Sequence, residues 1–123
     1  MAHILVVEDD ADSREILSEF LVRTGHTVAG VPNGRAALEE VLSNTPDLVV
    51  LDLSLPELDG AKFLEILRSY LRLQSLPVVV WTGMIGSPIV DKAMKFHVDA
   101  VIAKGKPDFV ELLSAIGRSV QPN

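Results

Sequence analysis

Short apolar segments alternate along the chain with longer segments in which apolar residues recur every three or four positions. The short segments cover residues 4–7, 27–31, 48–51, 78–81 and 100–103. Most of them are continuous and rich in β-branched residues, which is typical of strands buried on both faces of a parallel sheet. The longer segments carry the spacing of one apolar helix face, at Ile16, Leu17, Phe20 and Leu21, at Ala37, Leu38, Val41 and Leu42, at Phe63, Leu64, Leu67 and Leu71, at Ile89, Val90, Ala93 and Met94, and at Phe109, Leu112, Leu113 and Ile116. The alternation predicts an α/β fold of the (βα)5 type, a doubly wound five-stranded parallel sheet with helices on both faces.

The residues between these segments support the same division. Asn33 suits the start of the second helix, and either Asp10 or Asp12 suits the cap of the first. No segment has the composition of a linker, a repeat or a low-complexity tract, and 123 residues is the length of one ordinary domain. We therefore predict a single domain over residues 1–120 and a frayed tail over residues 121–123.

The composition narrows the class of protein. The chain is 48% hydrophobic and 23% charged, which provides enough apolar side chains for a buried core. The absence of cysteine excludes disulfides, thiolate metal sites and thiol catalysis. With 11 basic and 17 acidic residues the net charge is −6, which argues against direct DNA binding. Because no apolar run approaches the ~20 residues of a membrane span and the start has no leader pattern, we expect a cytoplasmic domain without membrane attachment.

Polar and charged residues follow four of the predicted strands. Glu8, Asp9 and Asp10 follow the first strand, Asp52 the third, Thr82 the fourth and Lys104 the fifth. Because the carboxyl ends of parallel strands meet at one edge of a sheet, we expect these side chains to lie close together. Carboxylates so placed repel one another, and an oxygen-preferring cation such as Mg²⁺ relieves the repulsion. Lys104 and Thr82 would then contact phosphoryl oxygens while Asp52 acts as the nucleophile.

Four stretches of the chain resemble the receiver domains of two-component response regulators, in particular the stand-alone single-domain type. They are residues 4–10 (ILVVEDD), 47–60 (DLVVLDLSLPELDG), 77–83 (PVVVWTG) and 99–104 (DAVIAK). The resemblance covers essentially the whole chain, and its most specific part is residues 52–60. It implies the flavodoxin-like receiver fold and a phosphoacceptor signalling module of a two-component or phosphorelay system.

The same resemblance implies a role for each residue of the metal site. Asp52 is the phosphoacceptor. Asp9 binds Mg²⁺ directly, and Glu8 binds it through water. The backbone carbonyl of Ser54 completes the protein ligands, and Asp10 lies outside the ligand set.

Phosphoryl transfer and output are also implied by the resemblance. The phosphoryl group comes from a phosphohistidine on a sensor histidine kinase or a histidine phosphotransfer protein, and Lys104 stabilises its charge. The chain thus catalyses its own phosphorylation and dephosphorylation without being a multiple-turnover metabolic enzyme. Thr82 is the switch hydroxyl, and together with Lys104 it shifts the loops after the fourth and fifth strands and the helix near residues 88–96. That surface would meet a downstream protein target, and the face of the fourth and fifth helices is a candidate for weak homodimer formation.

Three positions depart from the family pattern. Val101 stands where an aromatic switch residue is usual, which leaves the coupling to the output surface open. Gly105 follows Lys104 where proline is usual, and Lys106 is an alternative for the site lysine. Lys104 is favoured because it directly ends the apolar strand. Gly83, after the switch threonine, leaves access to the phosphoryl group open.

Three other functions are compatible with parts of the sequence. Val101 and Gly105 keep open a receiver-like binding module that regulates by contact, without phosphorylation. A metal-dependent phosphohydrolase would want a second acid two residues after Asp52, where Ser54 stands. A flavodoxin-like cofactor binder would want a phosphate-cradling loop after the first strand, where the acidic run would repel phosphate.

Several residues outside the site receive structural interpretations. Arg68 and Arg72, four positions apart, are predicted on a solvated helix face. Trp81 is predicted in the core, near enough to the site for its fluorescence to report Mg²⁺. Leu73 and Leu76 are candidates either for partner contacts or for closing the core.

Overall fold

The computed structural model describes residues 1–83, 85–105 and 109–120. Its strands are β1 (His3–Val7), β2 (Thr27–Val31), β3 (Leu48–Leu51), β4 (Val78–Thr82) and β5 (Ala100–Ala103). Its helices are α1 (Ala11–Arg23), α2 (Gly34–Ser43), α3 (Gly60–Arg68), α4 (Pro88–Met94) and α5 (Val110–Ser119), with a 3₁₀ turn over Leu71–Leu73. Lys106, the alternative site lysine, and the predicted tail over residues 121–123 lie outside the described residues. Within the described ranges, no helix combines the length and the apolar character that crossing a membrane requires.

One sheet contains the five strands of the described residues, parallel throughout and in the order β2-β1-β3-β4-β5. Val7 of β1 pairs with Val31 of β2 on one side and with Leu51 of β3 on the other, so three strands end at the same level. The strand order reverses at β1 and β3, and the carboxyl ends of these strands border the crevice where such sheets bind ligands. The predicted (βα)5, doubly wound parallel sheet is confirmed.

The sheet separates two apolar layers, as the alternation of side chains along each strand requires. On one face Leu5 and Val80 pack with α2, α3 and α4, and Phe63 of α3 is fully buried in this layer. On the other face Val6 and Trp81 pack with α1 and α5. Each fully buried leucine, valine or phenylalanine stabilises the fold by about 1.5–3 kcal/mol. The two apolar layers hold the sheet in place, and the sheet in turn positions the residues at its carboxyl edge.

Polar side chains begin the first three helices. Asp10, Asn33 and Asp59 each accept a hydrogen bond of 2.8 Å from the backbone N–H three residues further on. These bonds satisfy N–H groups that have no partner inside the helix. The backbone and side-chain hydrogen bonds from Ser13 lower the pKa of Asp10. Asp10, and not Asp12, is therefore the cap of α1.

Some apolar side chains lie elsewhere than their spacing predicts. Ile16 and Met94, predicted on core-facing stripes, are 58% and 54% exposed, because the sheet covers a narrower part of each helix than the spacing suggests. Leu73 and Leu76 are 1% and 8% exposed, so they close the core and offer no partner surface.

The predicted solvated face is wrong for Arg68, whereas Arg72 is exposed as predicted but lies in the 3₁₀ turn after α3. Arg68 is half-buried at the end of α3. One of its partners is His97, whose backbone is left-handed with a φ of 58°, a conformation that is uncommon outside glycine. The Arg68 guanidinium donates hydrogen bonds of 2.7–2.9 Å to the backbone carbonyls of Leu73, Leu76, Phe96 and His97. Arg72 donates to the end of α2, at the carbonyl of Leu42. Arg68 thus joins α3 to the chain before β4 and to the turn before β5.

Candidate functional site

Carboxylates from the ends of β1 and β3 form the centre of the cleft at the carboxyl edge of the sheet. Glu8 and Asp52 are 1% and 4% exposed, whereas Asp9 is exposed. One oxygen from each of the three carboxylates lies within 4.8 Å of the others. Because β1 and β3 are neighbours in register at Val7 and Leu51, the two buried acids that follow them lie side by side. The sheet brings together the acids that the strand ends predicted.

Lys104 reaches this cluster from the end of β5, two strands away from β3. Its ammonium donates a hydrogen bond to Asp52 Oδ2 at 3.1 Å and another to Glu8 Oε1. Its backbone N–H donates to the Thr82 carbonyl at 2.9 Å, which fixes the base of the side chain beside β4. Burial alone would lower the pKa of Lys104, but the hydrogen bonds and charges of Glu8 and Asp52 outweigh it and raise that pKa. Lys104 is therefore a positive charge held in the cleft at neutral pH.

Thr82 and Ser54 border the same edge. Thr82 is the last residue of β4, fully buried and paired with Ala103 of β5. The Ser54 N–H donates to Asp52 Oδ1 at 3.2 Å, so the Ser54 backbone lies beside the carboxylate, and its carbonyl as a metal ligand stays a prediction. Val101, at the predicted switch position, is half-buried against the layer of α2, α3 and α4.

The surroundings of Asp9 disfavour its negative charge. Desolvation by the neighbouring protein atoms, and then the hydrogen bond and charge of Glu8, raise the pKa of Asp9 even though this residue is exposed. Lys104 offsets only part of the negative charge, since one ammonium faces three carboxylates. Oxygen donors at this spacing with excess negative charge fit a hard divalent cation such as Mg²⁺.

Trp81 is a neighbour of the site lysine, a contact that the sequence interpretation missed. The Lys104 Nζ atom lies over the indole, 4.8 Å from the ring centroid. The contact follows from the strand register, because Trp81 pairs with Ile102 of β5, and Lys104 comes two residues after Ile102. Such diagonal neighbours are within reach of long and aromatic side chains.

Gly60 holds the start of α3 against the loop that carries Asp52. The Gly60 N–H donates to the Leu53 carbonyl at 3.1 Å. A Cβ atom on Gly60 would lie 2.7 Å from Leu53 Cα and 3.0 Å from the Asp52 carbonyl oxygen. Only glycine allows this approach of the helix to the backbone of the candidate phosphoacceptor.

The substitution Gly60→Ala is expected to lower the free energy of unfolding by about 1–3 kcal/mol, because the atoms that clash are mainly backbone atoms that cannot rotate away. Urea unfolding measures the loss. Gly117→Ala is the matched control, since nothing lies within 4 Å of a Cβ at that position in α5. The free energy of unfolding of Gly117→Ala should rise by about 0.5–1 kcal/mol, because alanine has a higher helix propensity than glycine. A similar gain at Gly60 would show that the close approach is absent.

The family is shown by sequence. A family model for the response regulator receiver domain matches residues 4–116. The chain belongs to the response regulator receiver domain family. The class of protein predicted from the motifs, a phosphoacceptor signalling module of two-component systems, is therefore confirmed.

Individual relatives are longer proteins or isolated receiver domains. Transcription factor SKN7 of Saccharomyces cerevisiae is 34% identical over 102 residues, which cover 83% of this chain and 16% of that protein. The chain spans 16–42% of the length of the first curated relatives that it matches. The signal receiver domain of a signal transduction histidine kinase from Syntrophus aciditrophicus has a TM-score of 0.88 at 30% identity, over 98% of this chain and 90% of that one. The Mn²⁺-bound form of response regulator Rcp1 has a TM-score of 0.78 at 26% identity, over 94% of this chain and 89% of that one.

Proposed function

We propose that Asp52 accepts a phosphoryl group from a phosphohistidine in a Mg²⁺-dependent reaction that switches a protein-interaction surface. The observation that carries this proposal is the position of the Lys104 ammonium, bonded to both Asp52 and Glu8 beside Asp9. A carboxylate nucleophile, two further acids and a fixed positive charge then share one cleft. These are the groups that phosphoryl transfer to a carboxylate requires.

In the proposed transfer, an Asp52 carboxylate oxygen attacks phosphorus while the bond from phosphorus to the histidine nitrogen breaks. The leaving imidazole takes up a proton from water, so the products are an aspartyl phosphate and a neutral histidine. Lys104 stabilises the negative charge of the transferring oxygens, and the Thr82 hydroxyl donates a hydrogen bond to one of them. Catalysis by the chain is mainly positioning and electrostatic stabilisation.

Mg²⁺ is the proposed cofactor, and the three clustered carboxylates fit it. The exposed Asp9 and the acceptor Asp52 would bind it directly, with the Ser54 carbonyl as a further ligand. Glu8 would act through water, because Lys104 already contacts its carboxylate. When bound, the ion supplies positive charge to the phosphoryl oxygens.

The proposed partners are a sensor histidine kinase or histidine phosphotransfer protein as donor and a downstream protein as target, in the cytoplasm. The phosphoryl oxygens would draw Thr82 and Lys104 into new bonds, which biases the conformations of the loops after β4 and β5 and of α4. Weak pairing of two copies through α4 and α5 stays a prediction, as does the absence of direct DNA binding. The contacts that Asp52 keeps with Lys104 and Ser54 favour this function over a phosphorylation-independent module.

One incubation tests the proposal. The protein is mixed with Mg²⁺ and acetyl phosphate, and its intact mass is then expected to increase by one phosphoryl group. If no donor gives an adduct, including a phosphorylated histidine phosphotransfer protein, the chain is a binding module that acts by contact. Multiple turnover of an unrelated phosphoester would instead identify a phosphohydrolase.

Mg²⁺ is expected to raise the melting temperature, because it binds the folded site and not the unfolded chain. At a free concentration of about 100 times Kd the stabilisation is about 2.7 kcal/mol. Asp9→Ala should remove most of this increase, whereas Asp12→Asn, an exposed acid in the first turn of α1, should keep it. Differential scanning calorimetry with and without Mg²⁺ gives the comparison. An undiminished increase in Asp9→Ala would exclude Asp9 as a ligand.

A further inference from the structure

We propose that Trp81 is a positioning residue for phosphoryl transfer, because its indole ring holds the ammonium of Lys104 at the carboxylate cluster. The role rests on the proposed phosphorylation of Asp52, to which Lys104 supplies positive charge. The effect of Trp81 on the reaction passes through Lys104.

The indole is held by packing against other apolar and aromatic side chains. Trp81 is 8% exposed and lies in the layer formed with α1 and α5. Phe109 meets it in an edge contact, with ring centroids 6.1 Å apart and an interplanar angle of 62°. Phe109 in turn lies 4.8 Å from Phe20 of α1. The ring therefore presents a rigid surface to Lys104.

Lys104 needs such a surface because its side chain is long and flexible. A lysine stem has four carbons and many rotamers, so its ammonium is poorly placed by the backbone alone. The Lys104 Nζ atom lies 4.8 Å from the ring centroid, within the range of an attractive cation–π contact. With Asp52 and Glu8, the ring gives the ammonium contacts from the ends of three strands, β1, β3 and β4.

The ring contact differs from the two ion pairs in how it responds to a bound cation. Asp52 is both a partner of Lys104 and a proposed direct ligand of Mg²⁺, so a cation at the site competes with Lys104 for the same carboxylate. Glu8 would meet the ion through water, so its carboxylate is also drawn partly away from Lys104. The indole binds no metal, so its attraction for the ammonium persists when the carboxylates are engaged. Trp81 thus keeps Lys104 at the cleft in the state that reacts.

A kinetic experiment separates positioning from packing. Trp81→Leu should slow phosphorylation by acetyl phosphate about tenfold, the size expected for a partly desolvated cation–π contact. The Kd for Mg²⁺, measured by thermal shift, should stay unchanged. Trp81→Phe keeps an aromatic face and should recover most of the rate. If Trp81 only filled the core, its replacement would change the phosphorylation rate and the Mg²⁺ affinity together. The rates of Trp81→Phe and Trp81→Leu would then differ only as far as the free energies of unfolding of the two variants differ.

A spectroscopic experiment needs no phosphodonor and no substitution in the core. Trp81 is the only tryptophan of the sequence, so the protein's tryptophan emission reports its surroundings alone. Lys104→Met should shift that emission, because it removes the charge over the ring. Lys92→Met, at an exposed position of α4, should give the same emission spectrum as the original protein.

The outcomes decide the two proposals separately. If Lys104→Met leaves the emission unchanged, or if Trp81→Leu reacts at the original rate, the positioning role is wrong. Should Trp81→Leu fail to fold, the rate of Trp81→Phe and the Lys104→Met spectrum decide in its place. If the original protein forms no adduct while Lys104→Met shifts the emission, the contact exists and phosphorylation of Asp52 is the part that fails.

Discussion

Replacing Asp52 by asparagine is expected to abolish phosphorylation, with a fall in rate of at least about a thousandfold, as is usual when a nucleophile is removed. The amide has nearly the shape of the carboxylate but no nucleophilic oxygen. Asp52 is 4% exposed and bonded to Lys104 and Ser54, so the substitution removes the carboxylate that these two residues hold in the cleft. Intact mass after incubation with Mg²⁺ and acetyl phosphate measures the adduct.

Asp91→Asn is the matched control for this variant. Asp91 lies in the first turn of α4 and is exposed, so the substitution changes the net charge equally without altering the cleft. It should form the adduct at the original rate. A persistent adduct in Asp52→Asn would place the phosphoryl group on another residue and overturn the assignment, and peptide mapping would locate it.

Replacing Arg68 by alanine is expected to lower the free energy of unfolding by about 3 kcal/mol, since hydrogen bonds to charged groups contribute ~1.5–3 kcal/mol and lost donors leave acceptors unpaired. The guanidinium serves four carbonyls, two before β4 and two before β5. Burial lowers the pKa of Arg68, with the charge of Asp99 opposing this, yet arginine stays protonated in proteins. The stabilisation should therefore persist at alkaline pH. Urea unfolding measures the loss.

Arg35→Ala tests whether the effect belongs to the contacts and not to the lost charge. Arg35 is an exposed residue of α2, and its replacement should change stability by less than about 0.5 kcal/mol. The loss of stability in Arg68→Lys should lie between those of Arg68→Ala and Arg35→Ala. A lysine ammonium lacks the planar fork of donors with which the guanidinium reaches four carbonyls. A loss in Arg68→Ala no larger than in Arg35→Ala would mean that the four bonds do not hold these segments together.

The sheet and the acid cluster were predictable because both follow from local sequence. Continuous β-branched segments such as residues 48–51 specify strands buried on both faces, and parallel pairing aligns their ends. Glu8 and Asp52 could therefore be placed together without knowledge of any distance. The sequence predicted that an aspartate would cap α1. The choice between Asp10 and Asp12 required the first residue of α1 to be known to within one position.

The contacts of Arg68 and Trp81 could not be predicted in the same way. The carbonyls that Arg68 serves near Phe96 and His97 are 28 and 29 residues distant, and backbone acceptors leave no trace in the side-chain pattern. The contact of Trp81 with Lys104 depends on the register of β4 against β5. Register between parallel strands is set by packing across a connecting helix, which the periodicity of either strand does not specify.

The strand order also governs how the domain can be assembled as it leaves the ribosome. β2 pairs with β1, and then β3, β4 and β5 are each added at the same growing edge, in the order in which they are synthesised. No later strand has to insert between two earlier ones, so each partial sheet is a subset of the final one. The acids arrive with the first 52 residues, whereas Lys104 comes only with the last strand. The nascent chain therefore carries its negative cleft uncompensated until β5 is in place.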